Sequence, residues 1–192
     1  MAHEHSMFST KSGIYLELAR LMDYPLEKTG LLLAQNGGLN QLRALNDPVI
    51  SEQLAGLTSS LKPTDREALQ IEYTRLFVYR PVCAPHETAY RGDLKSHQLI
   101  QKLAACYQKA GLHCSETLSP DHISVELEFM QYLFYRQGNC AGSEATLWQE
   151  QTSAFMQDHL HRWVPDFCAR LQEEAQRPFK HLAAVIDAVV KT

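Results

Sequence analysis

"PDHISVELEFMQYLFY", residues 120–135, reads as a helix that is apolar almost all the way round. At ~100° per residue, Ile123, Leu127, Met130 and Phe134 form one stripe and Val125, Phe129, Tyr132 and Leu133 form a second beside it. Only a narrow strip around Ser124, Glu128, Gln131 and Tyr135 is left for water. Asp121 and Glu128 fall on or near that strip, while His122 and Glu126 fall between the apolar stripes. An inward carboxylate must stay neutral or accept hydrogen bonds from a fixed partner. Ser119 is the expected cap, Pro120 the first helical residue and Asp121 a first-turn acid that complements the helix dipole. An acid there is ordinary helix chemistry, and Glu126 and His122 also fit a purely structural brace.

The donors for such a brace lie in "PVCAPHETAYRG" at 81–92, where Pro81, Pro85 and Gly92 interrupt regular structure and leave a loop carrying His86, Glu87, Tyr90 and Arg91. Helical periodicity dominates the rest of the chain, and no alternating run bounded by turn signals marks a strand. The first helix is expected from a Ser12 cap through Met22, ending before Pro25, with residues 1–11 expected to be disordered. "NGG" at 36–38 marks a turn, and Asp47-Pro48 opens another helix. Thr64 with Glu67 writes a capping box ahead of a helix whose apolar face is Leu69, Tyr73, Leu76 and Phe77. A helix over 94–110 ends at Gly111, and 111–119 is a candidate hinge. Ser143 is expected to cap a helix through Arg162, with a break at Trp163-Val164 before Pro165, and Pro178 opens the last helix. Repeats are absent, so the expected fold is all-α, a single helical-bundle domain over 1–192.

With 45% hydrophobic and 21% charged residues, the composition is that of a soluble chain able to bury a core without metal or disulfides. The net charge of −4 arises from scattered rather than clustered charges, which excludes a nucleic-acid-binding stripe. Five cysteines, odd in number and without a C-x-x-C pair, read as reduced thiols in a cytosol. The N-terminal "MAHEHSMFSTKS" has no apolar core of a secretory signal, and no stretch approaches the ~18 apolar residues of a membrane span.

Three segments in order, "EYTRLFVYRPVCAPHETAYRG" at 72–92, "PDHISVELEFMQYL" at 120–133 and "HLHRWVPDF" at 159–167, resemble the redox-enzyme maturation chaperones of the TorD, DmsD and NarJ type. The resemblance fits from Tyr73 to Thr192. It implies the TorD-like all-helical fold, cytoplasmic residence, no catalysis and no cofactor of its own. The implied partner is the apo form of a molybdenum-cofactor oxidoreductase of the dimethyl-sulfoxide-reductase class, bound through its twin-arginine leader, with cofactor insertion assisted and export held back. It also implies a monomer or a domain-swapped dimer. Carried over by motif, the peptide-binding residues are Tyr73, Leu76, Phe77, Pro85, His86, Tyr90, Asp121, His122 and Glu126. His86-Glu87 departs from relatives that carry an uncharged residue after the loop proline. The loop pattern of the nitrate-reductase branch is missing, which favours a TorD- or DmsD-like client.

A twin-arginine leader pairs two guanidinium groups with an apolar segment, so its receptor needs an apolar groove with acid at one end. Leu76 and Phe77 are candidates for the wall, and Asp121 with Glu87 or Glu126 for the acid; Leu76 and Phe77 equally fit an ordinary core. The rival readings are a metal-binding all-α enzyme using His86, Glu87, His122 and Glu126, and a generic helix-binding scaffold. Against the first, no Glu-x-x-His pair occurs and His159-x-His161 diverges on a helix. No nucleophile elbow and no glycine-rich phosphate loop is present.

Overall fold

The computed structural model describes residues 2–26, 30–35, 38–61, 66–114 and 117–191. Within them the chain is all-α: α1 (Ala2–Leu21), α2 (Gly30–Gln35), α3 (Asn40–Ala44), α4 (Pro48–Leu61), α5 (Arg66–Tyr73), α6 (Ser96–Lys109), α7 (Ile123–Asn139), α8 (Gly142–Phe155), α9 (His161–Glu174) and α10 (Arg177–Val190). Two π turns, Thr74–Val78 and Met156–Leu160, follow α5 and α8, and a 3₁₀ turn spans Glu87–Ala89. Among the described residues the sole β-type pairing is one antiparallel bridge, His86 to His122. Among the described residues no helix is long and apolar enough to cross a membrane. The packing divides the chain into two compact units, Met1–Ala19 with His86–Trp163, and Arg20–Pro85 with Val164–Thr192.

In the first unit α1 packs on α7, with Tyr15 stacked on Phe134 at 5.3 Å and Gln131 donating to Ser12 Oγ at 3.0 Å. Tyr107, Phe129 and Phe155 build an aromatic cluster between α6, α7 and α8, with ring centroids 4.7 Å apart in successive edge-to-face pairs. The Tyr107 hydroxyl, itself buried, donates to the Pro120 carbonyl at 2.7 Å and ties α6 to the start of α7. α6 stops at Gly111, whose φ of +79° lets Leu112 N–H reach back to Tyr107 C=O and Gly111 N–H to Gln108 C=O, both at 2.9 Å.

In the second unit α4 packs along α10. Asp47 Oδ1 caps α4 by accepting the Ile50 N–H at 2.9 Å, as the Asp-Pro pair predicts. A side chain at Gly56 would run into the His181 ring, so glycine is what permits the close approach of these helices. Tyr73, Phe77, Phe167 and Phe179 fill the core in tilted and edge-to-face contacts. Tyr73 OH donates to the Met22 carbonyl at 2.8 Å. Glu72 accepts both Arg75 nitrogens and the Gln176 N–H, which supplies a partner at the start of α10.

Four expectations are corrected. α1 begins at Ala2, not at a Ser12 cap, so residues 2–11 are helical rather than disordered; Phe8 reaches Gly138 of α7 and helps anchor this extension. α7 begins at Ile123 and is capped by His122, leaving Ser119, Pro120 and Asp121 in a turn ahead of it. Asp121 is therefore buried rather than wet, since a helical wheel does not govern a residue outside the helix, and Ser124 in the first turn of α7 is buried with its N–H and hydroxyl against His122 Nδ1. Helix continues through Pro165: the π turn ends at Leu160, and His161, whose carbonyl the proline ring would meet, has ψ −17° in place of the usual α value of about −42°. The Thr64 capping box, the first two residues of the "NGG" turn and part of the 111–119 hinge lie outside the described residues.

Candidate functional site

The site in the first unit is built where the 86–93 loop meets the turn that opens α7. Glu87 N–H donates to the Asp121 carbonyl at 2.9 Å beside the His86–His122 bridge. The Asp121 carboxylate completes the clamp: its oxygens meet His86 Nδ1 at 3.2 Å and accept from Thr88 Oγ1 at 2.6 Å, the Thr88 N–H at 3.3 Å and Ser119 Oγ. Burial works against this charge, yet the bonds from His86, Ser119 and Thr88 hold its pKa well below the usual range. Only 1% of Asp121 is exposed, so its lone pairs are used within the protein.

His122 caps α7, its Nδ1 accepting from the Ser124 N–H at 3.2 Å. Burial first, and then the neighbouring His86 charge, lower its pKa to about 4 against the pull of Asp121, so the ring is neutral, as an accepting Nδ1 requires. One turn on, Glu126 is fully buried and its Oε2 accepts the Trp163 indole N–H at 3.0 Å. Burial and the adjacent Glu87 charge raise its pKa well above the ordinary value, outweighing the indole bond. Its Oε1 receives no donor. That is the pattern of a carboxylic acid carrying its proton on Oε1.

Glu87, also fully buried, is the hub. It accepts from Arg91 Nη1 at 2.6 Å and from His159 Nδ1 at 2.9 Å. Arg91 spans onward to Asp93 at 2.7 and 2.8 Å and to the Asp158 carbonyl at 2.8 Å. Burial opposes charge on His159, but hydrogen bonds to Cys106 and Glu87 and the Glu87 charge raise its pKa to about 9, leaving it cationic. The acid expected at the mouth of a groove thus faces inward. Among the side chains this loop offers to solvent are that of His86, 36% exposed, that of Asp93 and part of Tyr90, whose ring lies 5.7 Å from that of Trp163.

The other expected site residues belong to the second unit. Tyr73, Leu76 and Phe77 are buried in its aromatic core and Pro85 is buried at its boundary, so Leu76 and Phe77 serve as core. Sequence reasoning named Glu87 as a candidate acid and Arg91 only as a loop residue, and it left His159 and Trp163 out of the site. Arg91 four residues after Glu87 was the available signal, since an Arg at that spacing from an acid is a common ion-pair register. Among the described residues no group of three or more His, Cys, Asp or Glu side chains is arranged to hold a metal ion.

The all-helical architecture is shared with a candidate redox enzyme maturation protein from Archaeoglobus fulgidus, at TM-score 0.60 and 23% identity over 93% of this chain and 91% of that one. Residues 44–169 match the nitrate reductase delta subunit family, and the chain belongs to that family. It is 26% identical over 185 residues to the chlorate reductase assembly chaperone protein of Ideonella dechloratans, covering 93% of this chain and 84% of the relative. It is likewise 26% identical over 165 residues to the selenate reductase assembly chaperone protein of Thauera selenatis, covering 82% and 75%. Both of these relatives are named as assembly chaperone proteins. The resemblance read from the three sequence segments is borne out at this level; the comparisons reach the family and not the branch within it.

Proposed function

We propose that this chain is a cytoplasmic assembly chaperone for a molybdenum-cofactor oxidoreductase of the dimethyl-sulfoxide-reductase class, and that it binds the twin-arginine leader of that client. The observation that carries the reading is the family match over 44–169, a span that includes both the 86–91 loop and the start of α7. Two assembly chaperones similar along most of the chain support the same role.

In this proposal the leader meets the rim of the 86–91 loop, with His86 and Tyr90 as contact residues. Asp121 and His122 hold the loop and helix in register, and protonated Glu126 fixes Trp163 behind Tyr90. Tyr73, Leu76, Phe77 and Pro85 act through the stability of the second unit. The affinity is moderate, since an assembly chaperone releases its client. Calorimetry with twin-arginine leader peptides tests the reading. The parent should bind, and His86→Ala and Tyr90→Ala should each weaken binding about ten-fold, equivalent to about 1.4 kcal/mol, with helix content unchanged. Parent-like binding by both variants removes the loop from the site; no binding of any leader by the parent removes leader recognition altogether.

A further inference from the structure

In the second unit the π turn Thr74–Val78 leads the chain into a reversal in which residues 78–81 are all exposed. Val78 and Tyr79 show 58% and 74% of their surface to solvent. Apolar side chains scattered singly over a surface are ordinary, but here an aliphatic and an aromatic residue stand side by side on a tethered loop. Tyr79 N–H donates to the Thr74 carbonyl at 3.2 Å, Cys83 N–H to the Leu76 carbonyl at 3.0 Å, and Arg170 Nε to the Val82 carbonyl. Between these ties Arg80 stands at φ +49°, a left-handed conformation that a residue with a Cβ rarely adopts and that persists only where its surroundings enforce it. Its guanidinium lies over the Tyr79 ring, 5.8 Å from the centroid. Both side chains lie outside the core, so the packed interior gains nothing from this arrangement.

Charge decides what fits there. Glu72 is taken up by Arg75, whose other bond goes to the Glu174 carbonyl. Among the described residues Arg80 has no acid partner, and Arg170 likewise spends its Nε on a carbonyl and pairs with neither Glu173 nor Glu174. A guanidinium laid on an aromatic ring by one face keeps its in-plane N–H donors open, which suits a carboxylate held by two parallel hydrogen bonds. Tyrosine and arginine together, already fixed in place, are the chemistry of an interface anchor. We propose that the 78–81 loop is a docking site for an acidic, partly apolar segment of another polypeptide. Its carboxylate is taken by Arg80, and a neighbouring apolar side chain rests on Tyr79 and Val78. A basic segment meets the same arginine unfavourably, so the twin-arginine leader is not the occupant, and this site stands or falls separately from leader binding.

The test is fluorescence anisotropy of the full chain with a short labelled peptide of Asp, Phe, Leu and Gly, run against the same peptide with every Asp replaced by Lys. The acidic peptide should bind about ten-fold more tightly at low salt, and the gap should narrow at high salt. Arg80→Gly removes the guanidinium and suits the φ of +49°, so it should melt with the parent yet weaken the acidic peptide about ten-fold. Arg80→Lys keeps the charge without the fork and should fall between the two, at about three-fold. Tyr79→Ser should weaken binding about ten-fold. Equal affinity for the two peptides, or no binding of the acidic one by the parent, overturns the acidic partner. Parent-like binding by folded Arg80→Gly and Tyr79→Ser overturns the loop as the site. Sedimentation of the chain alone covers the remaining occupant: self-association abolished by Tyr79→Ser would assign the loop to a second copy of this chain and overturn the proposal.

Discussion

His122 Nδ1 lies 3.2 Å from the Ser124 nitrogen and 2.9 Å from its hydroxyl oxygen, so a histidine serves as the N-cap of α7. The role demands an unprotonated Nδ1 on a ring flanked by His86, with Asp121 next in sequence. Replacing His122 by Ala should cost about 1 kcal/mol, while Asn or Ser should keep most of that by capping in the ordinary way. Urea denaturation of the three variants checks it. The pH dependence has a definite sign. With a folded pKa of about 4 against an ordinary 6.5, the unfolded chain binds more protons between these values, so stability falls as pH drops through that window. His122→Asn should lose that part of the acid sensitivity.

Glu126 should tolerate loss of its charge and resist loss of its shape. Glu126→Gln keeps an oxygen for the Trp163 indole and places an amide donor where the acid proton sits, so stability near pH 5 should change by less than about 1 kcal/mol. Glu126→Ala leaves the indole N–H without its partner and opens a void, at about 2–4 kcal/mol. The parent holds its proton above the pH at which the unfolded chain releases it, so its stability should fall with rising pH relative to Glu126→Gln. Equal pH profiles for the two would show that Glu126 is ionised in the fold.

His159 runs the other way from His122. Its folded pKa of about 9 exceeds the ordinary 6.5, so the contribution of the imidazolium is complete below 6.5 and is lost as pH rises towards 9. Relative to His159→Gln, the parent should lose on the order of 3 kcal/mol across that interval. An NMR titration of the His159 ring with a midpoint at or below 6.5 would contradict the ion pair with Glu87.

Phe77→Ala should destabilise the chain by about 3–5 kcal/mol, because the ring touches Tyr73, Phe167 and Phe179 in a core that leaves it almost no solvent. Ile71→Ala, on the outer face of α5 with 64% of the residue exposed, should change stability by no more than about 0.5 kcal/mol. Thermal melts of both variants decide between core and surface roles.

Local chemistry was legible where local physics decides the outcome. Asp47-Pro48, Gly111 and Pro178 each announce a helix end through one backbone property, and the structure uses each accordingly. Periodicity placed Leu69, Tyr73, Leu76 and Phe77 on one buried face, and it identified Glu126 as an inward carboxylate. It failed at Asp121, which precedes the helix and is buried by a loop some 35 residues earlier in the chain. It also failed at Pro165, because nothing in local propensity reveals a π turn one turn upstream. Beyond the Glu87–Arg91 step, the network through His159 and Trp163 was out of reach because its links join residues as far as 72 positions apart, which no window along the sequence can see.

The π turn at Met156–Leu160 carries one more residue than an α-helical turn would use, and His159 sits inside it with Trp163 just beyond. A π turn takes up that extra residue within a single turn, so deleting one residue here would restore ordinary helix and leave the chain beyond Leu160 nearly in place. The change would fall on His159, which sits inside the bulge and would lose its hold on Glu87, while Trp163 would keep its bond to Glu126.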